Sequence, residues 1–236
     1  MDVNKASAEE LCRYGYCLEK GINMAQNPAE AVKYYRLAAE QNLAKAQCHL
    51  GMCLEKGIGV EVNYAEAVKY YRLAAAQGLA EARLFLGYCY ENGLGTAVND
   101  VEAVKYYRLA AAQGMAHAQY FLGCCCKDGR GTSADINEAV KYFKMAAKQQ
   151  FAPAQFEMGL CCYYGQGVPL SRENAVKYYT FAAVQGYDKA QNNLAVCYEY
   201  GKGVEKNLTE AIKWYQKAAA KGYQNAIDAL NRLGVK

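Results

Sequence analysis

The chain has 236 residues and a formal net charge of +4; 53% of its residues are hydrophobic and 21% are charged. This composition is typical of a folded protein, and charges of both signs are spread too evenly for the dense basic face of a nucleic-acid-binding protein. No apolar run approaches the roughly twenty residues that span a bilayer. Residues 1–13 contain no apolar signal-peptide core, so we expect a cytoplasmic protein.

A sequence repeat organises the chain. The segment AVKYYRLAAAQG at Ala67–Gly78 recurs letter for letter thirty-six residues later, at Ala103–Gly114. Related copies with the same spacing begin at Ala31, Ala139, Ala175 and Ala211. A period of this length is typical of stacked supersecondary units rather than of one globular core. We therefore predict a single repeat domain over residues 1–236, with repeats at 7–42, 43–78, 79–114, 115–150, 151–186 and 187–222 and a C-terminal cap at 223–236.

Each repeat contains two helical patterns. In the second repeat they predict helices over Ala44–Lys56 and Tyr64–Gln77, separated by Gly57 and Gly59, which break a helix. Each second helix opens with a capping residue, followed three positions later by Glu in five of the six repeats. The predicted capping residues are Asn27, Asn63, Asn99, Asp135, Ser171 and Asn207. A glycine such as Gly78 is expected to follow the helix in the left-handed conformation.

Helical periodicity separates core from surface in both helices. In the second helix of repeat two, the predicted inward set is Ala67, Val68, Tyr71, Ala74 and Ala75. In the first helix it is Ala46, Leu50, Cys53, Leu54 and Gly57. Lys69, which has a lysine counterpart in every repeat, is predicted to lie on a solvated outer face. Glu55 and Glu91 are likewise interpreted as solvent-facing residues near helix ends.

Eleven cysteines occur, and six occupy one column of the repeats: Cys17, Cys53, Cys89, Cys125, Cys161 and Cys197. Equivalent points on stacked helices lie about 8–10 Å apart, whereas a disulfide needs Cα atoms within about 7 Å. We therefore expect reduced thiols that behave as small core residues. Residues 124–126 are consecutive cysteines, but adjacent helical side chains diverge by about 100°. No CxxC spacing occurs and there are only two histidines, so we predict no metal and no cofactor.

The second repeat, AKAQCHLGMCLEKGIGVEVNYAEAVKYYRLAAAQG, resembles the Sel-one-like repeat (SLR), a relative of the tetratricopeptide class. The shared elements are A-x-A-x-x-x-L-G, then G-x-G, then A-x-x-Y-x-x-A-A, in six copies over residues 7–222. The first copy has Tyr14 in place of the leucine and Asn23 in place of the second glycine; the sixth has Ala195 in place of the motif glycine. The resemblance implies an all-α fold, a right-handed α/α superhelical solenoid with a concave groove, and a non-enzymatic adaptor or scaffold function.

The face of the first helices opposite the core varies between repeats, whereas the core columns barely change. In repeats three to five this face carries Leu84, Phe85, Tyr88, Tyr120, Phe121, Cys124, Phe156 and Leu160. We predict that these residues line a groove that binds a protein or peptide partner, because aromatic side chains provide large contact areas and dominate binding hot spots. The alternative is that they only pack between neighbouring helices.

Two other functions stay open. A cysteine-rich subgroup of the SLR family is associated with β-lactam binding and hydrolysis. Its cysteines pair eight residues apart across neighbouring helices, where this chain has Ala or a similar residue at the second position. With two histidines no Ser–His–Asp or Cys–His constellation can be assembled, so we predict no catalytic residues.

The other function is self-association. The last segment mixes polar residues such as Asn225 and Asp228 with Ile227 and Leu230, which favours a capping helix and a monomer. A homodimer through the aromatic face is the alternative.

Overall fold

A computed structural model describes residues 6–235 of the chain. Within this range the structure consists of helices joined by short turns, with no strand. Residues 1–5, which belong to the segment interpreted as lacking a signal peptide, lie outside the described residues, as does residue 236 of the predicted cap. None of the described helices is both long enough and apolar enough to cross a membrane.

The described residues form two compact units. Unit 1 extends to Met115 and includes Arg130–Thr132; unit 2 contains Ala116–Gly129 and the described residues from Ser133. Unit 1 contains α1 (Ala8–Lys20), α2 (Pro28–Glu40), α3 (Ala44–Lys56), α4 (Tyr64–Ala76), α5 (Ala80–Asn92) and α6 (Asp100–Ala111). Unit 2 contains α7 (Ala116–Asp128), α8 (Ile136–Lys148), α9 (Ala152–Tyr164), α10 (Arg172–Val184), α11 (Asp188–Tyr200), α12 (Leu208–Ala219) and α13 (Gln224–Arg232). Within each unit, every helix packs against its neighbours in the chain.

The second helix of each repeat begins at its predicted capping residue. The Asn63 side chain, for example, accepts a hydrogen bond of 3.0 Å from the backbone N–H of Glu66, which satisfies a donor that the first helical turn leaves unpaired. The helix then ends at Ala76, one residue before the predicted Gln77. Gly78 follows with a φ of 91°, so the predicted left-handed conformation is confirmed.

The predicted core of the helix pairs is largely confirmed. All five inward residues of the second helix in repeat two are buried, and the Tyr71 side chain is fully enclosed. In the first helix Ala46, Leu50, Cys53 and Leu54 are buried, but the prediction for Gly57 is wrong. Gly57 is exposed because it lies beyond the last turn of α3 as a left-handed cap with a φ of 68°. The outer lysine column, including Lys69, is exposed as predicted.

The second glycine of the G-x-G element allows the backbones of two successive repeats to come into close contact. Gly95 has a φ of 68°, and a Cβ atom at this position would lie 2.2 Å from the carbonyl oxygen of Tyr64. The same close approach joins Gly59 to Pro28, Gly131 to Asp100 and Gly203 to Arg172. The loop of one repeat therefore lies directly against the start of the second helix of the preceding repeat.

The eleven cysteines are all free thiols. In the repeated column five are buried and Cys17 is half-buried. Burial raises the pKa of Cys53 and of Cys89 to about 12 and that of Cys161 and of Cys197 to about 11. These thiols are therefore protonated at neutral pH and contribute to the core as small apolar groups.

Buried glutamines of the first helices accept hydrogen bonds from glutamines at the ends of the second helices of the same repeats. The side-chain nitrogen of Gln77 donates to the side-chain oxygen of Gln47 at 2.8 Å, and Gln185 donates to Gln155 in the same way at 2.7 Å. In the last repeat Lys221 stands where a glutamine stands in the others, and its ammonium donates to the carbonyl oxygen of Gly186. The buried side-chain oxygen of Gln191 is consequently left without a hydrogen-bond partner among the described residues.

We therefore expect Lys221→Gln to stabilise the protein, because the new amide can donate to the buried, orphaned Gln191 oxygen, whereas the lysine bond that is lost is exposed and is replaced by bonds to water. One recovered hydrogen bond contributes about 1 kcal/mol to the free energy of unfolding, which corresponds to a rise in Tm of about 2–4 °C for a chain of this size. Thermal unfolding followed by circular dichroism measures this change. The reciprocal control, Gln185→Lys, should lower Tm, and a Lys221→Gln variant that melts below the wild type would contradict the explanation.

Candidate partner-binding surfaces

In unit 1 the predicted binding residues lie on α5, between the core and the solvent. Leu84 is only 9% exposed, Phe85 is half-buried and Tyr88 is 39% exposed. The Phe85 ring stacks on the buried ring of Tyr71, with the two centroids 5.4 Å apart. Leu84 is thus a core residue, whereas Tyr88 presents the largest accessible fraction of the three.

A pocket of about 340 Å³ lies beside Phe85. Cys48, His49 and Met52 of α3 line it, and they occupy the columns of Leu84, Phe85 and Tyr88 one repeat earlier. The His49 ring stacks on Tyr35 at 5.1 Å, and burial lowers the pKa of His49, so its imidazole is neutral at pH 7. The predicted surface began at repeat three and therefore missed this part, although the same columns contain the signal.

In unit 2 three predicted residues of α7 form a half-buried cluster: Tyr120, Phe121 and Cys124. The Tyr120 ring lies 5.5 Å from that of Phe121 and also 5.5 Å from that of Phe151. Burial raises the pKa of the Cys124 thiol to about 11. The cluster therefore presents aromatic surface together with a protonated thiol.

The predicted residues of α9 divide between the core and its edge. Phe156 is 9% exposed, and its ring lies 5.9 Å from that of Tyr179 and 5.4 Å from that of Tyr187. Leu160 is half-buried and packs against the same hydrophobic cluster. Packing between helices therefore accounts for Phe156, as it does for Leu84. Partner binding by the six more accessible residues stays a prediction.

Tyrosines of the second helices donate to glutamates of the first helices. The Tyr71 hydroxyl lies 2.6 Å from a Glu55 carboxylate oxygen, and Tyr107 lies at the same distance from Glu91. The interpretation of Glu55 and Glu91 as solvent-facing is therefore wrong, because both are half-buried and accept hydrogen bonds from core tyrosines. The first and sixth repeats contain the same pair, as Tyr35–Glu19 and Tyr215–Glu199.

Cations complete several of these pairs. Arg130 pairs with Glu91, and the guanidinium of Arg232 lies 2.7 Å from Glu199. Burial opposes ionisation of Glu199, but hydrogen bonds from Tyr215 and Arg232 outweigh it and lower the pKa of this carboxyl group. Arg232 thus links the C-terminal helix α13 by an ion pair to the charged, almost fully buried carboxylate of Glu199.

Apolar side chains form a row on the exposed face of the second helices, where the lysine column predicts only a solvated surface. In unit 1 the row consists of Leu37, Leu73 and Leu109; in unit 2, Met145 and Phe181 occupy the same position of their repeats and are also exposed. Leu73 is 50% exposed and Phe181 is 54% exposed, and Phe181 borders a pocket of about 550 Å³. The lysine column alone indicates a solvated outer face. In five of the six repeats, however, the residue four positions after the lysine is one of these apolar side chains.

Within residues 6–235, no group of three or more His, Cys, Asp or Glu side chains could hold a metal ion.

Comparison with protein families matches the Sel1 repeat to residues 11–43, 44–79, 80–115, 116–151, 152–187 and 188–223. The chain belongs to the Sel1 repeat family. This membership confirms both the resemblance and the predicted class of all-α solenoid with helix–turn–helix repeats. The right-handed sense of the superhelix and the single-domain assignment stay predictions.

Two solved structures are similar to this Sel1 repeat chain in sequence as well as in fold. A Sel1 repeat protein from Oxalobacter formigenes is 35% identical with a TM-score of 0.84, covering 90% of this chain and 85% of that one. The protective antigen c5321 of uropathogenic Escherichia coli, which displays an SLR fold, is 30% identical with a TM-score of 0.88. The match covers 94% of this chain and 48% of c5321, so the chain spans about half the length of that protein.

A Sel1 repeat protein from Klebsiella pneumoniae subsp. pneumoniae is 20% identical, with a TM-score of 0.56 over 86% of this chain and 99% of that one. At this identity the likeness concerns the fold alone. No curated protein matches the chain.

Proposed function

We propose that this Sel1 repeat protein is a non-enzymatic scaffold or adaptor that binds a segment of a partner protein on the exposed face of its first helices. The observation that carries the proposal is the contrast between neighbouring positions of one helix. On α5, Tyr88 is 39% exposed although Cys89 beside it is buried. A large aromatic side chain left partly accessible next to the core suits a binding anchor. The family, whose repeats generally form interaction scaffolds, supports the same function.

The chemistry of the two first-helix surfaces indicates the kind of segment that they bind. Phe85 and Tyr88 in unit 1, and Phe121 and Leu160 in unit 2, provide apolar contact area without a dense charge of either sign. A partner segment with apolar or aromatic anchors is therefore the expected ligand, because burying such groups drives association.

The state of the cysteines supports a non-enzymatic, cytoplasmic protein. Eleven free thiols fit a reducing compartment. Burial raises the pKa of four cysteines of the core column, so at neutral pH these four residues supply no thiolate nucleophile: Cys53, Cys89, Cys161 and Cys197. For the oligomeric state we propose a monomer, because Asn225, Asp228 and Asn231 leave a polar, exposed side on α13. Light scattering at increasing concentration tests this state.

Affinity capture from the native cell extract tests the proposed function. Wild type is compared with Phe85→Ala/Tyr88→Ala and with Phe121→Ala/Leu160→Ala, while circular dichroism verifies that each variant keeps its helices. The matched control is Leu73→Ala/Leu109→Ala, which removes exposed apolar side chains from the second helices of unit 1. We expect at least one protein that wild type and control capture equally and that a first-helix variant captures at least tenfold less.

Two outcomes would contradict this function. If only the Leu73→Ala/Leu109→Ala control loses the captured protein, binding belongs to the outer apolar row. If the first-helix variants and wild type capture the same proteins in equal amounts, the accessible aromatic side chains are not binding anchors.

A further inference from the structure

In two repeats the tyrosine–glutamate pair is joined by a third residue, a cation from further along the chain. In unit 1 the Tyr107 hydroxyl and the Arg130 guanidinium, which lies thirty-nine residues after Glu91, share the Glu91 carboxylate. In unit 2 the Tyr215 hydroxyl and the Arg232 guanidinium share Glu199. The carboxylate is therefore the centre of a repeated arrangement, with a phenol and a cation as its donors.

The fifth repeat has the donors of this arrangement but lacks the carboxylate. Tyr179 occupies the phenol position, Tyr163 stands in place of the glutamate, and Lys202 follows Tyr163 by the same thirty-nine residues. The Lys202 ammonium lies 5.9 Å from the centroid of the Tyr163 ring, and the Arg172 guanidinium lies 5.8 Å from it. Across the described residues, neither cation forms an ion pair with a carboxylate.

The fourth repeat shows how the chain compensates for the same loss elsewhere. Lys127 replaces the glutamate there, and Phe143 replaces the tyrosine, so no phenol needs an acceptor. Glu157 neutralises the lysine at 2.9 Å. The fifth repeat contains no comparable replacement, because its phenol is retained and Lys202, in the sixth repeat, occupies the position of the cation.

A pocket of about 190 Å³ lies where these groups meet, between Tyr179, Asn193 and Lys202. Asn193 contributes an amide side chain to the lining beside Tyr179. No described residue accepts the hydroxyl proton of Tyr179, whereas a glutamate accepts that of its counterparts. The pocket thus offers a phenolic donor and an ammonium to a group that enters from the solvent.

We propose that this pocket binds a carboxylate from outside the chain: the side chain of a glutamate or aspartate in a partner protein, which takes the place of the missing internal glutamate. The Tyr179 hydroxyl and the Lys202 ammonium donate to its oxygens, and Arg172 adds positive charge. Such charge-assisted hydrogen bonds are stronger than neutral ones. Tyr164 and Tyr200 are exposed beside the pocket and provide contact area for the residues that flank the acidic one.

The inference names the group that a partner presents, and in that respect it rests on the proposed function. Its test nevertheless needs no captured partner. The probe is the capped tripeptide N-acetyl-Gly-Glu-Gly-amide, titrated into the full-length ¹⁵N-labelled protein and followed by two-dimensional NMR. The glutamine analogue N-acetyl-Gly-Gln-Gly-amide shows the contribution of the negative charge, and inorganic phosphate shows whether the pocket prefers a free oxyanion.

Three variants locate the binding. Tyr163→Glu supplies the internal carboxylate and should abolish saturable binding of the Glu peptide, while the rise in Tm expected from the restored pair verifies that the variant is folded. Lys202→Met should weaken binding at least tenfold. Lys177→Met, which removes an exposed lysine from the outer face of the same repeat, should leave binding unchanged.

We expect saturable shifts with the Glu peptide, none with the Gln peptide and weaker binding of phosphate. The proposal is overturned if the Glu peptide does not bind, or if it binds equally well to the Tyr163→Glu or Lys202→Met variant. Tighter binding of phosphate than of the Glu peptide would overturn the assignment to an acidic side chain. None of these results alters the capture experiment, because the Phe85, Tyr88 and Phe121 side chains are intact in all three variants.

Discussion

Replacing Gly95 with alanine (Gly95→Ala) is expected to destabilise the protein severely, although this residue is exposed. Two costs combine at this position. The left-handed conformation costs a residue with a Cβ atom about 1–2 kcal/mol. The new Cβ would also lie 2.2 Å from the carbonyl oxygen of Tyr64, a backbone atom that no rotamer change can move away. Because overpacking typically costs another 1–3 kcal/mol, we expect a loss of about 2–5 kcal/mol in the free energy of unfolding.

Gly114→Ala is the matched control for this experiment. Gly114 has a φ of 87°, and a Cβ atom there would meet no other atom within 4 Å. The control therefore measures the cost of the left-handed conformation alone. Urea unfolding of both variants gives the difference between them, which we assign to the contact between the loop and the preceding helix. Equal destabilisation by the two substitutions would show that this close contact contributes nothing.

Tyr71→Ala is the second substitution with a large expected effect. The Tyr71 ring is fully buried and lies so close to α3 that a Cβ atom at Gly51 would be 2.6 Å from it. Removing the ring leaves a cavity between α3 and α4 and deprives Glu55 of its hydroxyl donor. Truncating a buried aromatic side chain to alanine typically costs about 3–5 kcal/mol, and urea unfolding measures this loss.

Tyr71→Phe separates the hydroxyl from the ring. This substitution keeps the packing and removes only the hydrogen bond to Glu55, which should cost about 1–3 kcal/mol because the half-buried carboxylate loses a donor. Repeat four has Phe143 at the position equivalent to Tyr71, and it also lacks the glutamate. This is the expected combination if the glutamate needs the tyrosine hydroxyl as a donor. If Tyr71→Phe were as destabilising as Tyr71→Ala, the ring would not be the main contribution.

The local structure could be predicted from the sequence wherever a short-range rule applies. The limits of α3, the cap at Asn63 and the enclosure of Tyr71 all follow from periodicity and capping preferences that act within a few residues. Thirty-six-residue repetition strengthened these predictions, because each feature was seen in several copies. The family and the all-α class followed from the same repetition.

Contacts between helices could not be predicted in the same way. The position of Glu55 near the end of its helix indicates an exposed side chain. Its hydrogen bond to Tyr71 depends instead on how α4 crosses α3, which the sequence of one helix does not determine. Leu84 and Phe156 were predicted on an open face, yet neighbouring helices bury them. A fixed spacing of sixteen residues between the glutamate and tyrosine columns was present in the sequence and could have indicated this pairing.

The face of the helices that touches a partner distinguishes binding by the first helices from binding by the outer apolar row. Site-specific photo-cross-linking measures this contact, with Tyr88→p-benzoylphenylalanine on α5 and Leu73→p-benzoylphenylalanine on α4 compared against the protein found by affinity capture. Both positions are exposed and belong to unit 1, so both probes can reach a partner from solvent. We predict a cross-link from position 88 and none from position 73. A cross-link from position 73 alone would contradict the assignment of binding to the first helices.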